Sequence, residues 1–283
     1  MDLNTTCRKI KQLKIQGAEN IATAAIEALL QVANKSKAKD KLSFILELEK
    51  AKAKLFSTRP TEPAMRNYLD YITNKAKKAK HPQTETKRLI KQVLREKKQA
   101  KKDLIKYGTK LVKKKHTVFT HCHSSTVIDI LKKVKPKVHN TETRPLFQGR
   151  QTAKDLAKAR IKVEHYTDAQ ARLALKEADI MLIGADAITY NKVYNKVGSE
   201  MLAIIAKTRK VPVYVACSLW KFDPHKEIVE ERSPTEVWKA PKGVTVKNYA
   251  FEKVNFKLIK GIICEKGILR PKKFVKVARK MIN

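Results

Sequence analysis

The chain has 283 residues, 42% of them hydrophobic and 32% charged, and a net charge of +36. A chain of this length buries roughly three quarters of its extended surface, so a core forms without disulfides or a structural metal. No apolar run approaches the ~20 residues of a membrane-spanning helix, and Cys7, Cys122, Cys217 and Cys264 make neither a disulfide-scaffold spacing nor a CxxC zinc pair. The opening MDLNTTCRKIKQLKI has no continuous apolar segment and no small-residue cleavage site, so a cytoplasmic location without a membrane partner is expected.

The basic excess runs along the whole chain, with net +19 over residues 1–115 and net +17 over the remainder. Such a charge attracts polyanions, from nucleic acids to phosphorylated metabolites, without defining a site. The densest stretch, 74–115, holds 17 basic and 3 acidic residues. Leu89, Ile90, Val93, Leu94, Leu104, Ile105 and Leu111 recur within it at helical spacing, which reads as a solvated helix face. Zinc-finger, RNA-recognition and basic-zipper signatures are absent and aromatic residues are scattered, so nucleic acid is not expected as the primary ligand.

In chain order, the spacing predicts helices near 3–14, 19–33, 41–56, 61–78 and 84–113. Ile21, Ala24, Ala25, Ala28 and Leu29 form a buried stripe on the second of these. Gly17 permits a sharp turn before it, and Arg59-Pro60 interrupts the path after Phe56. From His116 onward short apolar strands at 117–120, 138–141, 161–166, 180–183, 211–216 and 261–264 alternate with helices near 124–133, 151–159, 169–177 and 200–209. This alternation predicts an α/β fold, a helical N-terminal domain (1–115) followed by a Rossmann-like, mostly parallel sheet flanked by helices (116–283). Neither GxGxxG nor a Walker A sequence occurs.

Four motifs fall at predicted strand ends, where ligands meet such sheets: THCHSS (120–125), TETRPLFQG (141–149), GADAIT (184–189) and YNKVG (194–198). Cys122 precedes a helix whose N-terminal amides can lower a thiol pKa and yield an acid or base near neutrality; the alternative is a small buried cysteine. His121 and His123 have metal-ligand chemistry, but adjacent strand positions face opposite sides and the motif holds no carboxylate. Asp186 can move a proton or orient a hydroxyl, or cap a helix. Asp168 has the stronger capping pattern, because an alanine-rich helix is expected from Ala169. Arg144, Lys196 and Lys221 suit phosphate, or structural ion pairs and solvent. Gly149 and Gly198 would let backbone donors approach an anion. Cys217 and Cys264 lie in apolar strands and are expected in the core.

Together with KIKQLKIQGAENIA (9–22), STRPTE (57–62), KFDP (221–224), RSPTEV (232–237) and EKGILRP (265–271), these motifs make the chain resemble the translation initiation factor 2B alpha/beta/delta family over almost its whole length. That family includes regulatory subunits and two kinds of sugar-phosphate isomerase. Within it the chain resembles the archaeal isomerases acting on ribose 1,5-bisphosphate, a substrate formed in nucleoside monophosphate degradation. The resemblance implies a helical domain and an α/β domain with the active site at their interface. It assigns Cys122 and Asp186 as the acid/base pair, and Gln16, Gly17, Arg59, Arg144, Asn195, Lys196 and Lys221 as substrate contacts. It implies a phosphorylated pentose substrate, no cofactor or metal, a homodimer or homohexamer, and a nucleoside monophosphate as candidate activator. The sequence departs from the isomerase motif RGAG at Gln16, reading QGAE, which loses a guanidinium and places Glu19 where a bisphosphate would be repelled. The rivals are a 5-methylthioribose-1-phosphate isomerase and a regulatory subunit of the translation-factor type.

Overall fold

The structure, a computed structural model, describes residues 1–224 and 230–282. The described residues divide into two compact units: 1–100 with 220–222 and 280–282, and 101–219 with 223–224 and 230–279.

The first unit is helical. Asp2 caps α1 (Leu3–Lys11) by accepting from the Thr5 amide at 2.9 Å, and Asp40 caps α3 (Lys41–Phe56) by accepting from Ser43 N at 2.9 Å. Between them, α2 (Ala18–Lys35) starts at Gly17, whose φ of +80° suits glycine. Pro63 opens α4 (Pro63–Lys78), where its missing N–H costs nothing. The alanines of the α2 stripe keep that face thin, and its core closes on Leu48, Leu55, Leu69 and Ile72, all fully buried. The long helix α5 (Pro82–Leu111) adds Leu89, Ile90 and Val93 to this core. Residues 220–222 belong here because the Trp220 ring stacks on Tyr68, centroids 4.1 Å apart. Asn67 Nδ2 also donates to the carbonyls of Trp220 and Phe222 at 2.8 and 2.7 Å.

The second unit is built on a seven-stranded sheet. Its strands are β1 (Thr117–Thr120), β2 (Lys137–Thr141), β3 (Val163–Tyr166), β4 (Ile180–Ile183), β7 (Val213–Ala216), β9 (Gly261–Cys264) and β10 (Gly267–Leu269), the three strands between them in chain order forming the second sheet below. The spatial order is β10-β9-β7-β4-β1-β2-β3, parallel except for β10. Crossovers run through α6 (Ser125–Val134), α7 (Gln148–Lys158), α8 (Ala171–Lys176) and α9 (Ser199–Thr208), and α10 (Pro271–Ile282) closes the chain. Strands β1 and β4 are neighbours, but the chain leaves β1 toward β2 and β3 before returning to β4, so the sheet reverses its winding between them. Their C-terminal ends form the crevice where doubly wound sheets bind ligands.

A second, antiparallel sheet of β5 (Ala187–Ile188), β6 (Lys192–Lys196) and β8 (Phe251–Asn255) was not expected, and neither were β10 and α10. The first of these strands has two residues, and KVYNK in β6 alternates too weakly to read as a strand. YNKVG therefore ends a strand of this small sheet, not of the large one.

Candidate active site

Two motifs meet at the reversal point. Cys122 lies just beyond β1 and Asp186 just beyond β4. A Cβ on Gly184 would lie 2.8 Å from Ser124 Oγ and 2.9 Å from its Cβ, so the residue after β4 packs directly against the Ser124 side chain that follows Cys122 and His123. Ser124 caps α6, donating no space to a longer residue opposite. Lys196, at the end of β6, is buried, and its ammonium lies 5.2 Å from the Phe251 ring centroid.

The Cys122 thiol feels both groups. Burial pushes it up to about 11, Lys196 pulls it down, and the Asp186 carboxylate raises it again. This corrects the expectation of a thiol activated by a helix N-terminus: α6 begins at Ser125 under the Ser124 cap, and desolvation outweighs any pull from its amides. At neutral pH Cys122 is a half-buried neutral thiol, a proton donor first.

Cys122 has φ +66°, an uncommon conformation for a non-glycine residue. Two threonines hold it there. Its amide donates to Thr143 Oγ1 at 3.0 Å, and its carbonyl accepts from Thr152 Oγ1 at 2.7 Å. The neighbouring His121 is buried and its pKa lowered by desolvation. Its Nε2 faces the Val197 carbonyl at 3.0 Å and must donate, so Nδ1 accepts, with Thr141 Oγ1 at 2.7 Å. Both ring nitrogens are thus occupied, joining β1, β2 and the turn after β6, which leaves no lone pair for a metal. His123 is exposed, with Nδ1 3.2 Å from Thr152 Oγ1.

Asp168 does not cap a helix. Thr167 caps the short 3-10 turn that follows, while the Asp168 carboxylate accepts from the amides of Thr143 at 2.9 Å and Arg144 at 2.7 Å. The Arg144 guanidinium is exposed, donates to the Val237 carbonyl at 2.9 Å and lies over the Phe147 ring. Asn195 is buried and donates to Ser199 Oγ at 2.9 Å, a bond that anchors the start of α9. Gly149 is not an anion cradle, because the space of its missing Cβ is filled by the Thr141 carbonyl, 1.7 Å from where that atom would be. Cys217 and Cys264 are core residues, 2% and 0% exposed, and Cys7 is buried at 5%.

In the helical unit, Gln16 is exposed and its Nε2 donates to the Leu13 carbonyl at 2.6 Å. Glu19 is paired with the Lys97 ammonium, so its charge is compensated, contrary to the repulsion expected from QGAE. The half-buried Arg59 lies with Nε 3.7 Å from the buried Glu62 carboxylate. Half-buried Lys221 lies on the segment whose flanking carbonyls Asn67 holds. Asn67, Thr143 and Thr152 escaped the sequence reading, since their partners are distant in sequence and the residue types are unremarkable alone.

One further group among the described residues offers metal-ligand atoms: His139, Glu164 and Glu177, all within 4.8 Å of one another. The Lys137 ammonium lies 2.8 Å from Glu164 and 3.6 Å from Glu177, supplying the cation these carboxylates require. The group reads as an ion-pair network at the sheet edge.

The Initiation factor 2 subunit family matches residues 14–271. The chain belongs to that family. It is 34% identical to the ribose 1,5-bisphosphate isomerase of Thermococcus kodakarensis, over 96% of this chain and 92% of that protein. It is 33% identical to the methylthioribose-1-phosphate isomerase of Pelotomaculum thermopropionicum, over 93% and 81% of the respective chains. Among solved structures, the Pyrococcus horikoshii translation initiation factor eIF-2B superposes with a TM-score of 0.84 at 28% identity, over 96% of this chain and 98% of that one. No helix among the described residues is long and apolar enough to cross a membrane.

Proposed function

We propose that the protein is an aldose–ketose isomerase that converts α-ribose 1,5-bisphosphate into ribulose 1,5-bisphosphate. The observation that carries the chemistry is the neutral Cys122 thiol within the fields of Asp186 and Lys196 at the strand ends of a reversal point. The identity to relatives named for this activity supports the substrate.

The reaction makes three demands. The ring oxygen gains a proton as its bond to C1 breaks, one hydrogen moves from C2 to C1, and the C2 hydroxyl loses its proton as the carbonyl forms there. A thiol that keeps its proton at neutral pH is available to give it, and Cys122 is assigned the principal proton transfer. Asp186 is assigned the proton at the substrate oxygen where the carbonyl arrives. Lys196 stabilises developing negative charge, and its burial strengthens that interaction. Arg144 exchanges its Val237 contact for a phosphate, Asn195 donates to a substrate oxygen, and Gln16, Gly17, Arg59 and Lys221 supply the remaining contacts. None of these roles calls for a nicotinamide or a metal. The active assembly is assigned as a homo-oligomer, dimer or hexamer, with a nucleoside monophosphate as activator.

Phosphorus NMR of the purified protein with α-ribose 1,5-bisphosphate, with and without nucleoside monophosphates, tests this reading. Ribulose 1,5-bisphosphate is expected from the parent protein, and Cys122→Ser and Asp186→Asn are expected to lose most turnover while folding and assembling normally. Turnover of 5-methylthioribose 1-phosphate in its place would move the assignment to the sister activity, and a folded oligomer inert toward both sugars would move it to a regulatory role.

A further inference from the structure

The segment after β2 is held in an unfavourable shape. Thr143 has φ +62°, a conformation in which a β-branched side chain crowds its own backbone, and such strain persists only where the surroundings enforce it. Asp168 is the enforcing group: one carboxylate oxygen accepts from Thr143 N at 2.9 Å and the other from Arg144 N at 2.7 Å. From that conformation the Thr143 hydroxyl accepts from the Cys122 amide at 3.0 Å and lies 3.3 Å from His121 Nδ1. The path runs from Asp168 through two amides and one hydroxyl to the peptide that carries the thiol.

We propose that Asp168 is a positioning residue for Cys122, acting through Thr143, and that the two left-handed residues form one device that aims the thiol. This inference rests on the isomerase reading for its catalytic consequence, while its structural content stands on the Cys122 thiol alone. A carboxylate is required because it presents acceptors to two neighbouring amides. Asp168→Asn leaves one acceptor and turns an NH2 group against the second amide. Thr143→Val keeps the shape and removes the hydroxyl, and Thr143→Ser restores it.

Two readouts separate this device from simple structural support. The first is iodoacetamide modification of Cys122, measured by mass spectrometry; Cys7, Cys217 and Cys264 are buried and serve as internal controls. Loosening of the Cys122 peptide is expected to speed modification about threefold or more in Thr143→Val, with Thr143→Ser close to the parent; Asp168→Asn also speeds it, but there the loss of a carboxylate that raises the thiol contributes as well, so the Thr143 pair is the deciding one. The second is turnover of ribose 1,5-bisphosphate. Thr143→Val is expected to lower kcat about tenfold or more with KM changed less than about threefold, since misplacing a reacting group acts on the chemical step. The double variant is expected to be no slower than the worse single, because both substitutions cut one path. Parent-like modification and kcat in Thr143→Val, or fully additive losses in the double variant, would overturn the proposal. Should Asp168→Asn fail to fold, the Thr143→Val and Thr143→Ser pair decides alone. If the parent turns over neither sugar, the modification rates still decide the positioning role and only the isomerase reading falls.

Discussion

A thiol held at about 11 leaves only about one Cys122 in 10,000 ionised at pH 7, against about one in 30 for an unperturbed cysteine near 8.5. The perturbation is pH itself, and the assay is the second-order rate of iodoacetamide modification, with Cys122→Ser as the blank. Because only the thiolate reacts, the rate at pH 9.5 divided by that at pH 7.5 follows the ionised fraction. The ratio is about 100 for a pKa of 11, about 10 for one of 8.5, and about 1.3 for a thiol activated to near 7. A ratio near 100 with no plateau below pH 10 is the expected result. Removing neighbours has opposite signs: Lys196→Met deletes the lowering influence and slows modification at fixed pH, whereas Asp186→Asn deletes a raising influence and speeds it. The same shift bears on stability. The folded-state value exceeds the unfolded one, so the neutral thiol's contribution is full below about 8.5 and is lost as pH climbs through about 11. Parent stability in urea is expected to fall across that window, and less steeply in Cys122→Ser. Cys264, pushed up to about 12 by burial, adds a loss of the same sign. A plateau in the modification rate at or below pH 8.5 would refute the argument that desolvation dominates this site.

Gly149→Ala places a Cβ 1.7 Å from the Thr141 carbonyl oxygen and 2.8 Å from its carbon, backbone atoms that cannot rotate away. A loss of about 3 kcal/mol or more is expected in chemical denaturation, with no folded protein an equally consistent outcome, and a change under about 1 kcal/mol would contradict the packing. Asn67→Ala removes the donor to the Trp220 and Phe222 carbonyls and is expected to cost about 2 kcal/mol by the same measurement. If Lys221 contacts substrate as proposed, that variant also raises KM with little change in kcat, because the segment carrying the lysine is no longer pinned. Gln16→Arg restores the guanidinium of the isomerase motif, and with Glu19 already paired to Lys97 it is expected to lower KM for the bisphosphate about three- to tenfold. An unchanged KM would show that another donor already fills that place.

Much of the architecture was legible in the sequence because its signals are local. Continuous apolar runs such as IMLI and VYVA mark strands buried on both faces. Alternating with helical segments, they make a parallel sheet whose strand ends carry Cys122 and Asp186. Short or mixed elements were not legible: β5 has two residues, and β6 and β8 acquire their identity by pairing with each other. The tertiary structure alone decided the state of the site. Whether Cys122 is an activated thiolate or a guarded thiol depends on how much solvent its neighbours remove, and those neighbours come from β4 and β6, 64 and 74 residues further along. Asp168 has the local pattern of a helix cap, yet its carboxylate turns to amides 24 and 25 residues earlier. Glu19 looks repulsive in sequence and is neutralised by a lysine 78 residues away. Periodicity and turn chemistry act over a few residues and can be read along the chain, whereas desolvation, charge compensation and enforced backbone strain arise only when distant segments share one small volume.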